Sequence, residues 1–234
     1  MNIGTMHAKI LLKIDKMGGY STANIISGEI DSFLNESISD YINQQRIALR
    51  RASGDRESIE AMENLRLLEE DQVIDSSSIT QYSLNTTNIS NNGFKIDIST
   101  LDNEYDYYIN GRAYFNTEDY WKNCMLVNRT FINKHGVTKF NSPVFWEIPV
   151  MIDKDELIGL YSVDDGEIPN KFYINYLRKT KEIHLNGTPA SNVITSGEYT
   201  DLPAHTHETI VKMATQKVVQ SISGYQSRQE EGDQ

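Results

Sequence analysis

The chain has little cysteine or proline, with one cysteine and five prolines among its 234 residues. The single cysteine, Cys124, excludes an intrachain disulfide and a zinc site built from four cysteines. Its neighbours Trp121 and Met125 indicate a buried apolar thiol. The sequence also lacks both an apolar run near the roughly 18 residues that a membrane-spanning helix needs and a signal-peptide pattern. We therefore expect a soluble protein, made in a reducing cytoplasm, that has no membrane partner.

Basic residues are scarce, with 22 lysines and arginines against 33 acidic residues and a formal net charge of -11. An acidic surface repels phosphate, which disfavours tight or sequence-reading binding to nucleic acid. The hydrophobic fraction of 38% is below the roughly 45–50% of typical globular domains. We interpret this as a folded protein with long polar loops, or one that completes its burial against partners.

No arrangement of residues supports catalysis, a cofactor or a metal. His205 and His207 are the only close histidine pair, and residues two apart on a helix point in different directions. Residues 163–167 resemble the start of a calcium loop but lack the alternating acidic ligands that such a loop needs. The sequence contains neither a glycine-rich phosphate loop nor a nucleophile elbow. It therefore predicts that the protein is not an enzyme.

Apolar residues recur at three- and four-residue steps near both ends of the chain, which predicts four amphipathic helices. The first three are expected over residues 3–17, 27–49 and 55–70, and the last is expected to begin with Asp201 as its cap and Pro203 in its first turn. The predicted fold class is α+β, a small helical bundle with a β-rich middle insertion. The expected parts are N-terminal helices over 1–72, the insertion over 73–200, a returning helix over 201–225 and an acidic tail over 226–234.

The middle of the chain reads as strands and irregular loops. Residues 72–92 are rich in serine and asparagine and predict a loop, whereas residues 94–98 alternate as a half-buried strand does. Asn110 and Gly111 predict a hairpin turn, although the flanking residues could instead form one kinked strand. Further strands are expected over residues 157–161 and 171–177, with a turn at residues 164–166.

Seven aromatic residues between positions 105 and 121 form the most distinctive cluster of the chain. Acidic neighbours such as Asp106 and Asp119 argue against base stacking, because base-binding proteins place Lys and Arg beside such rings. Packing within a sheet, a protein interface and sugar stacking remain open. A solvated strand end or an electrostatic contact with another subunit would explain Arg178 and Lys179. The candidate residues for a subunit or portal interface are Tyr107, Tyr108, Tyr114, Trp121, Trp146, Arg178, Lys179, Tyr225 and Gln226.

Several segments in order resemble structural proteins of crAss-like tailed phages. Residues 25–35, IISGEIDSFLN, are similar to the start of the second helix in that family, and NQQR at 43–46 is similar to the end of that helix. The segment ENLRLL at 63–68 resembles the third helix, and FYINYLRK at 172–179 resembles a characteristic strand. Leu-Pro at 202–203 followed by HETIV at 207–211 resembles the closing helix.

This resemblance implies a ring or adaptor protein in the head-to-tail connector, similar to the adaptor proteins of short-tailed phages. The implied partners are identical subunits in a twelvefold ring, the portal protein and further ring or tail proteins, with DNA passing through the lumen unbound. The implied location is the virion, after assembly in the host cytoplasm. The alternatives are another tail or tail-hub component of the same particle, or a carbohydrate-binding module that uses the tyrosine cluster.

Overall fold

The computed structural model describes residues 1–16, 25–51, 56–86, 89–116, 120–128, 147–161, 168–185, 187–188 and 190–232. The chain divides into two compact units, one formed by residues 1–68 and 180–234 and the other by residues 69–179. The predicted α+β class is confirmed, and a large curled sheet is more prominent than the sequence indicates. None of the described helices combines the length and apolar character needed to cross a membrane.

Within the described residues, the first unit contains four α-helices: α1 Ile3–Lys16, α2 Ser27–Arg51, α3 Arg56–Leu65 and α4 His207–Gly232. Helix α2 packs against α3 and α4, and α1 packs against α4. Most of the predicted apolar stripes on α1, α2 and α4 are buried, which confirms the helical period there. On α3 the stripe is wrong in part, because Ile59 and Met62 are 63% and 46% exposed.

The boundaries of the third and fourth helices differ from the prediction. Helix α3 ends at Leu65, because the amide of Leu68 turns back to the carbonyl of Leu65 and a strand begins at Glu69. Asp201 is not the cap of α4, since its carboxylate accepts a hydrogen bond from the amide of Lys181 at 2.7 Å. A 3-10 turn, Ala204–Thr206, leads into the helix instead. The helix then continues to Gly232 and so includes most of the residues predicted as the acidic tail.

The second unit is built on an eight-stranded sheet with strand order β1-β8-β4-β5-β6-β7-β3-β2. Only β5 and β6 pair in parallel, and every other pairing in this sheet is antiparallel. The strands are β1 Glu69–Asp75, β2 Ile79–Thr86, β3 Ile89–Asp97, β4 Tyr105–Phe115, β5 Tyr120–Leu126, β6 Glu147–Asp153, β7 Glu156–Tyr161 and β8 Lys171–Arg178. A separate two-stranded parallel sheet, β9 Glu182–Ile183 with β10 Val193–Ile194, belongs to the first unit.

Two predictions about the middle of the chain are wrong. The described part of this range, residues 72–86 and 89–92, does not form a loop, since apart from a short 3-10 turn at Ser76–Ser78 it contributes to β1, β2 and β3. Asn110 and Gly111 do not form a hairpin, since both lie within the single strand β4. This strand has register shifts against β8, which agrees with the alternative of one kinked strand. The turn expected at residues 164–166 lies outside the described residues. The strands expected over 94–98, 157–161 and 171–177 fall largely within β3, β7 and β8 and are confirmed.

The core of the second unit lies on one face of the sheet. Phe94 of β3, Ile148 of β6 and the alternating residues Phe172, Ile174 and Tyr176 of β8 are at most 1% exposed. Strand alternation then directs the intervening residues of β8, and their register partners on β1, β4 and β5, to the opposite face. That opposite face carries Tyr107, Tyr114 and Trp121 of the predicted aromatic cluster, whereas Tyr108 and Phe115 belong to the core and Tyr105 packs against it.

Candidate interaction surface

Two cross-strand rows form a surface on the face of the sheet opposite the core. In the first row, Val73 pairs with Tyr173, Tyr173 pairs with Arg112, and Arg112 pairs with Asn123. The second row crosses the same four strands, β1, β8, β4 and β5. Its register partners, in that order, are Asp75, Lys171, Tyr114 and Trp121. We call these eight residues the aromatic face. Because consecutive partners share one side of the sheet, the face is continuous over four strands.

The exposed apolar side chains of the aromatic face are Trp121 and Val73, and the half-buried Tyr114 packs beside Trp121. The ring centroids of Tyr114 and Trp121 are 5.3 Å apart with planes tilted by 43°. Trp121 is 41% exposed and Val73 is 53% exposed. Large rigid side chains that are already ordered lose little conformational entropy on binding. The aromatic face is therefore well suited to contact another macromolecule.

The other predicted tyrosines occupy different environments. Tyr107 is half-buried and lies on the same side of the sheet, opposite Leu177. Tyr108 is only 3% exposed, and its hydroxyl donates a hydrogen bond to the carbonyl oxygen of Cys124 at 3.2 Å. Burial raises the pKa of Tyr108 and also that of the Cys124 thiol, which keeps both groups neutral. The expectation of a buried thiol is confirmed, and Tyr108 belongs to the core instead of the aromatic face.

The two cationic candidates already have acidic neighbours in their own unit. The guanidinium of Arg178 lies 3.4 Å from the carboxylate of Glu70. The ammonium of Lys179 lies 2.9 Å from the carboxylate of Glu104, whose backbone oxygen also accepts from the amide of Lys179 at 2.8 Å. A contact between either residue and another subunit stays a prediction.

The three remaining candidates have no described side chain. Trp146 lies outside the described residues. Tyr225 and Gln226 belong to helix α4, but their side chains are not among those described. A role for these residues at an interface stays a prediction.

Strand β1 carries an acidic group that sequence reasoning missed. Asn175 donates hydrogen bonds to Glu69 and Asp71 at 2.7 and 2.9 Å, and the hydroxyl of Tyr173 donates to Asp71 at 2.6 Å. This hydrogen bond to Asp71 is the largest cause of the raised pKa of Tyr173. The signal in the sequence is the alternation of Glu69, Asp71 and Val73, which places their side chains on one side of a strand.

Buried and partly buried polar contacts join several elements of the first unit. The Nε2 atom of His7 on α1 lies 2.8 Å from an Asp31 oxygen on α2, and the two Asp31 oxygens accept from the amide of Leu185 at 3.2 and 3.1 Å. One turn further along α2, Asn35 exchanges two hydrogen bonds with the backbone of Ile183. We call these five residues the polar joint. Both α2 members fall in the segment 25–35.

The histidine pair does not form a common site. His205 contacts the side-chain oxygen of Asn64 at 2.7 Å, whereas Nε2 of His207 contacts the carbonyl oxygen of Leu202 at 2.9 Å. The carbonyl can only accept, so the Leu202 contact fixes the proton of His207 on Nε2. Within the described ranges, no group of three or more His, Cys, Asp and Glu residues could hold a metal ion.

His207 predicts a pH dependence of stability. Burial lowers the pKa of His207 from its usual value of 6.5, so the unfolded chain binds this proton at a pH where the folded protein does not. The free energy of unfolding should therefore have its full value above about pH 6.5. At lower pH it should decrease by up to about 1.4 kcal/mol per pH unit. Urea denaturation at several pH values measures this dependence.

The His207→Gln variant should show a shallower fall than the wild type. The matched control is His184→Gln, at an exposed histidine, which should leave the slope as it is. Equal slopes in the wild type and in His207→Gln would contradict the assignment of this titration to His207.

No family model matches the chain, and no curated protein matches it at a significant level.

Proposed function

We propose that the protein is a noncatalytic structural component of a virion, an oligomeric ring or adaptor subunit that joins the portal to the tail around the DNA channel. The main observation in support of the proposal is the aromatic face. There the sheet already holds the Tyr114 and Trp121 rings against each other, and the side chains of Trp121 and Val73 are exposed. Interface centres are enriched in tyrosine and tryptophan. The resemblance of the five sequence segments to crAss-like phage structural proteins supports the same role.

The two units suit different parts of this role. In the proposal, the four helices form a compact bundle that keeps the subunit rigid, and the sheet presents the contact surface. A rigid subunit is needed because a heterologous interface closes into a ring only if the rotation between neighbouring copies is a fixed fraction of a full turn, without a shift along the axis. The acidic surplus of the chain, repeated in every copy, would repel DNA phosphates and let the genome pass unbound. Identical subunits, the portal and neighbouring ring or tail proteins are the proposed partners.

Electron microscopy of the purified protein mixed with its candidate portal tests the proposal. We expect rings stacked coaxially on the portal, with copy number read from the class averages. A tail-hub role in the same particle would give binding to tail proteins without rings on the portal. A protein that stays monomeric and does not bind the portal at any concentration would contradict the proposal.

A substitution in the aromatic face makes the test specific. Trp121→Ala should weaken ring formation by about 2 kcal/mol, because tryptophans at interface centres often contribute that much. Trp121 is 41% exposed, so the fold should tolerate the change. The matched control is Leu12→Ala on α1, where the leucine is 53% exposed and the rings should persist. Equal ring formation by both variants would exclude the aromatic face from the interface.

A carbohydrate-binding module is the second candidate, because the Tyr114–Trp121 pair lies beside Arg112 and Asn123, and rings with adjacent hydrogen-bonding groups can bind sugars. Binding of the isolated protein to a glycan array, abolished by Trp121→Ala, would favour this function. Rings on the portal with no glycan binding would exclude it.

A further inference from the structure

Strand β1 is an open edge of the eight-stranded sheet. It pairs with β8 over all seven residues, from Glu69 opposite Leu177 to Asp75 opposite Lys171, without a register shift. On its other side no strand of the described residues pairs with it. In a regular antiparallel pair, alternate residues direct their backbone N–H and C=O groups away from the partner strand. Such an outward row can accept a further strand from another chain.

Strand β1 lacks several features by which proteins block the addition of a strand. Lysine, proline, bulges and very short strands are common examples. The sequence of β1, EEDQVID, contains no lysine or proline, and its pairing with β8 has no bulge. The side chains of Asp71, Val73 and Asp75 are exposed. The geometry of β1 therefore permits strand addition, and its side chains decide which strand fits.

Two carboxylates are ordered on the side of β1 opposite the core. The Nδ2 atom of Asn175 donates to Oε1 of Glu69 at 2.7 Å and to Oδ1 of Asp71 at 2.9 Å. The Tyr173 hydroxyl donates to the same Asp71 oxygen at 2.6 Å. These bonds leave Oε2 of Glu69 and Oδ2 of Asp71 without a hydrogen bond to any described residue. No lysine or arginine in the described ranges forms an ion pair with either carboxylate, so both can accept one from a strand beside β1.

The spacing of these residues defines the pattern of a complementary strand. Residues directly opposite each other on adjacent strands have Cβ atoms about 4.5–5.5 Å apart, and alternate residues share one side. Cations opposite Glu69 and Asp71 must therefore be two residues apart. Val73 follows on the same side and is 53% exposed. The third alternate residue of the incoming strand should accordingly be apolar.

A second copy of this chain offers no such strand at its described edges. Pairing of two β1 edges would bring their acidic residues together, and like charges opposite each other are destabilising. The other edge strand of the large sheet, β2 with the sequence ITQYSLNT, contains no lysine or arginine. Strands β9 and β10 of the small sheet, EI and VI, contain none either. A basic segment of a different protein is the better match to these acidic residues.

We propose that the β1 edge binds an extended segment of a different protein, which adds to the sheet as a further strand. The segment places two lysine or arginine residues opposite Glu69 and Asp71 and an apolar residue opposite Val73. Backbone hydrogen bonds supply the affinity, and the side chains at alternate positions supply the specificity. This contact goes beyond the function proposed above, because it does not require a ring of identical subunits.

Binding of synthetic peptides to the full-length protein tests the contact. The probes are the fluorescein-labelled peptides KTKTVT and TVTKTK, whose residue orders match parallel and antiparallel addition to β1. We expect one of them to bind, as measured by fluorescence anisotropy. Isotope-labelled carbonyl groups in that peptide should then show the infrared band of a β-sheet. Failure of both peptides to bind at any concentration up to their solubility limit would overturn the proposal.

Altered peptides separate strand addition from simple charge attraction. Methylation of every second backbone nitrogen keeps both lysines, and in one of its two phases it removes the donors that face β1. That phase should abolish binding, because the carbonyl groups of β1 then lose their partners. Glutamates in place of the lysines should also abolish binding, because like charges would oppose each other. Equal binding by the parent peptide and by both methylated forms would show charge attraction alone and would overturn the proposal.

Charge variants of the protein test the assigned residues. Glu69→Gln with Asp71→Asn removes both charges and keeps a side-chain oxygen at each position. Loss of two exposed ion pairs should weaken binding of the lysine peptide roughly 5-fold and reduce its salt dependence. The control, Glu57→Gln with Glu60→Gln, makes the same charge change at exposed positions of α3 and should leave binding unchanged. Equal binding by the two double variants would overturn the proposal.

Charge reversal gives a result that loss of fold cannot produce. A protein with Glu69→Lys and Asp71→Lys should bind the glutamate peptide and should no longer bind the lysine peptide. If this variant is folded by circular dichroism but does not exchange its preference, the proposal is wrong. Rings on the portal without peptide binding would remove this contact and leave the ring function standing. Peptide binding by a protein that forms no rings would remove the ring function and support this contact.

Discussion

Replacing Asp31 with alanine is expected to lower the free energy of unfolding of the helical unit by about 3–5 kcal/mol. Asp31 is 4% exposed and His7 is 5% exposed, and their side chains lie 2.8 Å apart. The same carboxylate accepts from the amide of Leu185. Its removal leaves a buried imidazole nitrogen and a partly buried backbone amide without their partner, and a fully buried group of this kind costs about 1–3 kcal/mol.

Urea denaturation followed by helical circular dichroism measures this loss. Both tryptophans of the chain, Trp121 and Trp146, lie within residues 69–179, so their fluorescence reports on the sheet unit. We expect the helical signal to be lost at lower urea while the fluorescence transition changes less. The control is Ser32→Ala, one residue further along α2 at an exposed position, which should change stability by less than about 0.5 kcal/mol. A loss below about 1 kcal/mol for Asp31→Ala would show that the polar joint is not a major source of stability.

The helices could be predicted from the sequence because their signal is local. A stripe such as Ile30, Leu34 and Ile38 repeats within one element, and all three are buried on α2. The error at α3 has a physical cause, because the buried side of that helix is lined by small and polar residues such as Ala61 and Asn64. Asn64 is buried with a hydrogen bond to Gln45 on α2, which a scan for apolar residues cannot detect.

Strand β1 could not be predicted because its stability comes from a distant partner. Only Ile74 is buried among the seven residues of β1, so no apolar alternation marks the strand. It exists because β8, about a hundred residues later in the chain, supplies its hydrogen bonds. The face that carries Tyr114 and Trp121 likewise depends on strand order. The aromatic residues themselves could be singled out in advance, but which of them face outward follows from the register.

Among the glycines of the sheet, Gly159 on β7 is the position where an added methyl group is expected to lower stability most. A Cβ atom built there would lie 2.3 Å from the Cζ atom and 2.4 Å from the Cε1 atom of the Phe94 ring, well inside normal contact distance. Gly159 pairs with Phe94 on β3 and with Val150 on β6, and both are fully buried. The ring therefore occupies the space that a side chain would need.

We expect Gly159→Ala to destabilise the sheet unit by about 1–3 kcal/mol, the usual cost of overfilling a packed core. Tryptophan fluorescence during urea denaturation measures the change. Adding Phe94→Leu to Gly159→Ala should recover part of the loss, because the smaller side chain leaves room for the methyl group. The matched control is Gly28→Ala in the first turn of α2, where a Cβ meets no atom within 4 Å. That change should stabilise the helix slightly, since alanine is the better helix former by about 1 kcal/mol. If Gly159→Ala and Gly28→Ala gave equal stabilities, the close packing of Phe94 over β7 would be wrong. The predicted opposite signs for the same chemical change follow from one difference, a phenylalanine ring above one glycine and open space beside the other.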